Sequence, residues 1–70
     1  MQNRLEELRT HKGWTQQDLA DRAGVSRQTI ISLERGRYNP SITLAFRLAR
    51  QFDIKIEDLF IYSEEEDRNE

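Results

Sequence analysis

The sequence predicts an all-α fold of five short helices with a short C-terminal β-strand. Apolar residues recur at helical spacing in four segments, which isolated glycines and a single proline separate from one another. The segment IEDLF fits one further helical turn, and the β-prone run 60–62 after it fits a strand. Seventy residues make one domain with a core of nearly minimal size, and the chain has no cysteine to reinforce it.

The first helix is expected over residues 3–11, where Leu5 and Leu8 lie on one face. Gly13 ends this helix. Trp14 follows in the connector, and its large ring is expected to cover the core between the helices. Stacking of Trp14 on a nucleic-acid base is the less favoured alternative.

Residues 15–36 have the pattern of two short helices joined by a glycine turn. Thr15 followed by Asp18 is a capping-box-like start for the first of these helices. Gly24 can adopt the positive φ that ends it, and Ser26 can cap the helix that follows. Two helices of about nine residues with so short a turn must cross steeply, which is the helix-turn-helix arrangement.

The second helix of this motif has one face suited to DNA. Ile30 and Leu33 fall on the face expected to be buried, and the opposite face carries Arg27, Gln28, Ile31, Ser32 and Arg35. Glutamine can pair with adenine, arginine with guanine, and an apolar side chain can contact the thymine methyl group. The alternative is an ordinary solvated helix. The side-chain chemistry favours a helix that enters the major groove.

The fourth helix is expected to begin after Pro40, with Ser41 as its N-cap, and to continue to about Phe52. Its apolar residues span an arc of about 200°, which is wider than one core-facing stripe. The edge that does not face the core predicts a self-complementary subunit surface. The predicted homodimer interface comprises Phe46, Ile54, Phe60, Ile61 and Tyr62. The alternative is that these residues fold back over their own core.

The formal net charge of −2 conceals an uneven distribution. Residues 1–40 carry seven Lys or Arg against five Asp or Glu, whereas residues 41–70 carry four against eight. Much of the acidic excess lies in residues 63–70, SEEEDRNE, which are expected to form a flexible, solvated tail. The local charge around the motif therefore allows a nucleic-acid partner.

The residue inventory argues against an enzyme, a metal site and a cofactor. His11 is the single histidine, no cysteine can join it in a metal site, and no serine or threonine has a base-and-orienter pair. The three glycines are isolated and form no phosphate-binding loop. No run of about 18 apolar residues and no signal-peptide pattern is present, so we expect a cytoplasmic protein without a membrane partner.

These residues resemble the XRE-type, or Cro/C1-type, helix-turn-helix transcriptional regulators. The resemblance includes TQQDLA, Ala20, Gly24, VSRQTI, LERG, NPS and IEDLF, and it covers about residues 3–62. Within that family the chain is most similar to short single-domain members such as the cytolysin operon repressor. The resemblance implies a five-helix, lambda-repressor-like DNA-binding domain that forms homodimers through its fifth helix and C-terminal strand.

The resemblance also assigns roles to individual residues. Base edges would be faced by Arg27, Gln28, Ile31 and Ser32. The phosphate backbone would be contacted by Gln16, Ser26, Arg37, Tyr38 and Asn39, and Gln16 could also brace Gln28. Gln17 and Arg35, which lie next to these positions, are also expected to contact phosphate. Arg9 and Glu34 would form a structural ion pair that does not contact DNA.

The sequence thus predicts a dimeric repressor that binds a palindromic operator in double-stranded DNA. The DNA-binding domain is expected over residues 1–62, with its motif at 15–36, its dimerisation segment at about 53–62 and the acidic tail at 63–70. The alternative function is that of an antitoxin or protein-interaction module of the same fold, with a protein partner bound by the tail.

Overall fold

A computed structural model of the chain describes residues 2–37 and 39–61. The elements are β1 (Gln2–Asn3), α1 (Leu5–His11), α2 (Gln16–Ala23), α3 (Arg27–Glu34), α4 (Ile42–Gln51), α5 (Ile56–Leu59) and β2 (Phe60–Ile61). The predicted fold class of five helices with a short C-terminal strand is confirmed. Tyr38, Tyr62 and the predicted tail 63–70 lie outside the described residues.

The beginning of the chain differs from the prediction, because residues 2 and 3 form a strand and the helix begins only at Leu5. β1 pairs with β2 in antiparallel register, Gln2 with Ile61 and Asn3 with Phe60. Asn3 Oδ1 accepts a hydrogen bond from the Leu5 N–H at 3.0 Å, and its Nδ2 donates to the Leu33 carbonyl at 2.7 Å. This residue therefore anchors the start of α1 to the end of α3.

The core forms where the five helices meet. The largest fully buried side chains are Leu5, Leu19, Ile30, Leu33, Leu48 and Leu59. Ala20 is fully buried and Ala23 nearly so, on the face of α2 that packs against α3 and α4. Small residues at these positions allow the helices to approach closely.

Trp14 covers an edge of this core, as its size predicted. It is half-buried, and its ring centroid lies 5.6 Å from that of Phe52. The guanidinium of Arg22 lies 4.1 Å from the Trp14 ring centroid, which is close enough for a cation–π contact. The indole therefore packs between α2 and the end of α4.

The helix α4 is capped as predicted, with Ser41 Oγ accepting from the Leu44 N–H at 3.2 Å. One edge is buried through Leu44, Ala45, Leu48 and Ala49. The other edge is exposed, since Ile42 retains 73% and Phe46 56% of its accessible surface. The wide apolar arc of α4 is thus only half covered by the described residues of its own chain.

The predicted interface residues that the structure describes differ in burial. Phe60 is 7% exposed and belongs to the core of its own chain, and Ile54 is half-buried against that core. Ile61, the next residue along, is 45% exposed. For Phe60 and Ile54 the observed burial agrees with the alternative that they fold back over their own core.

Of residues 2–37 and 39–61, none belongs to a helix that is both long and apolar enough to cross a membrane.

Candidate nucleic-acid interface

Hydrogen bonds define both ends of α2, the helix that leads into α3. At its start, Thr15 Oγ1 accepts from the Asp18 N–H at 3.0 Å while Asp18 Oδ2 accepts from the Thr15 N–H at 2.8 Å. The bond from the Thr15 N–H stabilises the carboxylate and holds the pKa of Asp18 below its usual range. At its end, Gly24 has φ of +72° and the Val25 N–H donates to the Ala20 carbonyl at 3.0 Å. The chain therefore turns sharply into α3.

The start of α3 presents unpaired donors to solvent. Ser26 caps the helix by accepting from the Thr29 N–H at 3.2 Å. Arg27 and Gln28 are exposed, and the first turn of α3 has no acidic residue. Gln28 makes no side-chain hydrogen bond to another described residue, so its amide is available to an external ligand.

The outward face of α3 becomes less exposed toward its middle. Ile31 and Ser32 are half-buried, while Ile30 and Leu33 are fully buried on the opposite face. Arg27, Gln28, Ile31 and Ser32 therefore form one continuous face along one side of α3, which we call the recognition face. A helix of this length with such a face fits the major groove of DNA.

Residues predicted to contact phosphate lie at both flanks of the recognition face. Gln16 and Gln17 begin α2, and Gln17 Nε2 donates to Asp21 Oδ1 at 2.8 Å, which occupies one of its two N–H groups. Beyond α3, Arg35, Arg37 and Asn39 are exposed. With Arg27 at its start and Arg35 and Arg37 beyond its end, α3 has positive charge at both ends.

The single acidic residue of α3, Glu34, is withdrawn from this surface. Arg9 Nε donates to Glu34 Oε2 at 2.7 Å and Arg9 Nη2 donates to Oε1 at 3.3 Å, with side chains only 12% and 2% exposed. Arg9 Nη1 also donates to the Trp14 carbonyl at 2.8 Å. The ion pair therefore joins α1, the connector after it and the end of α3.

Gln16 has a partner that the sequence did not indicate. Its Nε2 donates to Glu34 Oε1 at 3.1 Å, across 18 residues of sequence. A hydrogen bond between the side chains of Gln16 and Gln28, which the resemblance implied, is not formed among the described residues. Gln16 donates instead to the carboxylate of Glu34, which is a stronger acceptor than a neutral amide.

A metal ion has no evident set of ligands in the part of the chain that the structure describes. Among residues 2–37 and 39–61, no three His, Asp or Glu side chains are grouped closely enough to hold a metal ion.

Comparisons with known proteins agree with this arrangement. The model of the family described as helix-turn-helix matches residues 5–59. An uncharacterized HTH-type transcriptional regulator of Methanocaldococcus jannaschii is 53% identical over 66 residues, which cover 94% of this chain and 100% of that relative.

Solved structures extend the similarity to the fold. The restriction-modification controller protein C.AhdI from Aeromonas hydrophila has a TM-score of 0.74 and 42% identity, covering 81% of this chain and 86% of its own. SinR from Bacillus subtilis, the master regulator for biofilm formation, was crystallised in complex with DNA. That structure has a TM-score of 0.70 and 31% identity, covering 77% of this chain and 87% of its own.

Proposed function

The chain belongs to the XRE-type helix-turn-helix family of DNA-binding transcriptional regulators, which is not a class of enzymes, and we propose that it is a dimeric, sequence-specific repressor. In this proposal the recognition face of α3 enters the major groove of a palindromic operator. The chain then acts as a short single-domain regulator, of the kind that the cytolysin operon repressor exemplifies.

One observation carries the proposal: α3 presents Arg27 and Gln28 at its exposed start while its single acidic residue is buried against Arg9. An exposed carboxylate beside the groove would repel the phosphates, whereas a neutralised one does not. Guanidinium and amide groups supply the bidentate donors that distinguish bases in the major groove. The surface therefore has both the charge and the hydrogen-bonding groups that base recognition requires.

The proposed homodimer is supported by the apolar surface that α4 and β2 leave uncovered. Ile42, Phe46 and Ile61 are the large apolar side chains that stay exposed among the described residues, and we call them the apolar patch. A neighbouring groove of about 220 Å³ is lined by one polar residue, Asn39, and by Pro40, Ile42, Ala45, Ile56 and Phe60. Exposed apolar side chains beside such a groove are typical of protein–protein contacts.

Dimerisation would also set the operator geometry. Half-sites bound by a two-fold-symmetric pair lie one helical turn apart, roughly 34 Å. The described part of the chain measures 34 × 23 × 21 Å, so two copies side by side have dimensions compatible with that spacing. A dimer bound across a promoter would repress by occluding it.

The antitoxin or protein-interaction alternative depends on the acidic tail 63–70, which lies outside the described residues. It differs from the main proposal in a measurable way, because a protein-interaction module would show no preference among DNA sequences.

Replacing Gln28 with alanine tests base recognition. We expect Gln28→Ala to relax discrimination at one base pair of each half-site by about 1–3 kcal/mol, because its bidentate contact with a base is lost. Affinities for duplexes that vary one position at a time would measure the effect. Retained discrimination at every position would contradict the placement of α3 in the groove.

Arg37→Ala is the matched control, because Arg37 is assigned to the phosphate backbone. It should weaken binding to all sequences alike and make the dependence of log K on log[salt] shallower by about one unit for each protomer of the dimer. Gln28→Ala, which removes no charge, should leave that slope unchanged. A selective loss for one duplex in Arg37→Ala would contradict the assignment.

A further inference from the structure

The buried carboxylate of Glu34 restricts the side-chain amide of Gln16. A carboxylate only accepts hydrogen bonds, so the nitrogen of this amide, and not its oxygen, must face Glu34. Arg9 binds both oxygens of the same carboxylate, which prevents the acceptor from turning away. One N–H and the carbonyl oxygen of Gln16 are thereby left for other partners.

The position of Gln16 makes this restriction relevant to DNA. It is the first residue of α2, an end of the helix where backbone N–H groups and the helix dipole attract a phosphate. An unrestricted glutamine could present either its N–H or its carbonyl oxygen to that phosphate, and only the N–H would bind. A free glutamine would lose conformational freedom when it binds the phosphate. An amide that is already fixed before binding avoids this cost in the binding step.

We propose that Glu34 is a positioning residue for DNA binding: it orients Gln16 so that the free N–H of the amide donates to a backbone phosphate. This inference rests on the proposed function. Glu34 itself does not contact DNA in this arrangement. Arg9 neutralises its charge and so allows an acidic side chain to serve this purpose close to the phosphates.

A double-mutant cycle tests the inference. Wild-type protein, Glu34→Gln, Gln16→Ala and the double variant would be titrated with the tightest duplex that the wild type recovers from random DNA. We expect each single variant to weaken binding by about fivefold to tenfold per bound protomer. Gln16→Ala removes the hydrogen bond to phosphate, and Glu34→Gln no longer fixes the Gln16 amide, because a glutamine at position 34 can face it with either its oxygen or its nitrogen. The double variant should bind no more weakly than either single variant, because Glu34 acts through Gln16.

Glu7→Gln provides the control for charge. It removes the same negative charge from the exposed Arg4–Glu7 pair on α1. Loss of a negative charge alone should leave DNA binding unchanged or slightly tighter. We therefore expect Glu34→Gln to weaken DNA binding, whereas Glu7→Gln should leave the affinity unchanged or raise it slightly.

Two results would overturn the inference. The first is an unchanged DNA affinity in Glu34→Gln. The second is that Glu34→Gln weakens binding equally in the wild-type and the Gln16→Ala backgrounds, because Glu34 would then act only through the fold. Absence of any bound duplex for the wild type would instead contradict the proposed function itself.

Circular dichroism at the binding temperature would establish that each variant is folded. If Glu34→Gln is not, the cycle would use the combined variant Arg9→Met with Glu34→Met. Apolar replacements of both members of a buried ion pair are often neutral or stabilising, and this variant also lacks the acceptor for Gln16.

Discussion

Replacing Arg9 with alanine should destabilise the fold by about 3–5 kcal/mol, because it leaves the carboxylate of Glu34 buried without its ion-pair partner. The substitution also removes the hydrogen bond from Arg9 Nη1 to the Trp14 carbonyl. A domain of this size has a total free energy of unfolding of roughly 4–10 kcal/mol, so this loss is a large part of the total. Urea denaturation followed by circular dichroism would measure the loss.

The exposed pair at the start of α1 supplies the control. Arg4 Nη2 lies 2.8 Å from Glu7 Oε2, but these side chains are 42% and 63% exposed. Water and salt screen such a pair, so we expect Arg4→Ala to change the free energy of unfolding far less than Arg9→Ala. Equal effects of the two substitutions would mean that burial does not set the importance of the Arg9–Glu34 pair.

Replacing Phe46 with aspartate should convert the proposed dimer to monomers and weaken operator binding by about a hundredfold or more. Phe46 lies on the exposed edge of α4, where a carboxylate costs the monomer little but would be desolvated in a subunit interface. Two linked recognition helices bind far more tightly than one, because the second contact forms at high effective concentration. Analytical ultracentrifugation and DNA titration would measure the two effects.

The conservative variant Phe46→Leu tests whether apolar character is what matters. It keeps an apolar side chain in the apolar patch and should remain dimeric. Circular dichroism should show the same helix content for Phe46→Asp as for the wild type. A folded Phe46→Asp protein that sediments as a dimer would place the subunit interface elsewhere.

The helices could be predicted from the sequence where the signals that define them are local. Thr15, Ser26 and Ser41 each cap a helix by accepting from an N–H only three residues later, so the sequence alone reveals them. The width of the apolar arc on α4 likewise predicted an edge that its own core does not cover. Both features depend on residues within one or two turns of each other.

The contacts that could not be predicted join distant parts of the chain. β1 consists of two polar residues, and only its pairing with β2 identifies it as a strand. The Gln16–Glu34 hydrogen bond spans 18 residues and depends on how α2 crosses α3. Phe60 and Ile61 are similar in type, and only the packing shows that the first is buried and the second exposed.

Selection of bound duplexes from random DNA with the purified protein tests the central proposal most directly. We predict enrichment of a palindrome whose half-sites are centred about one helical turn apart, roughly 34 Å. Recovery of DNA with no common sequence would contradict a sequence-specific, dimeric regulator and favour the protein-interaction alternative.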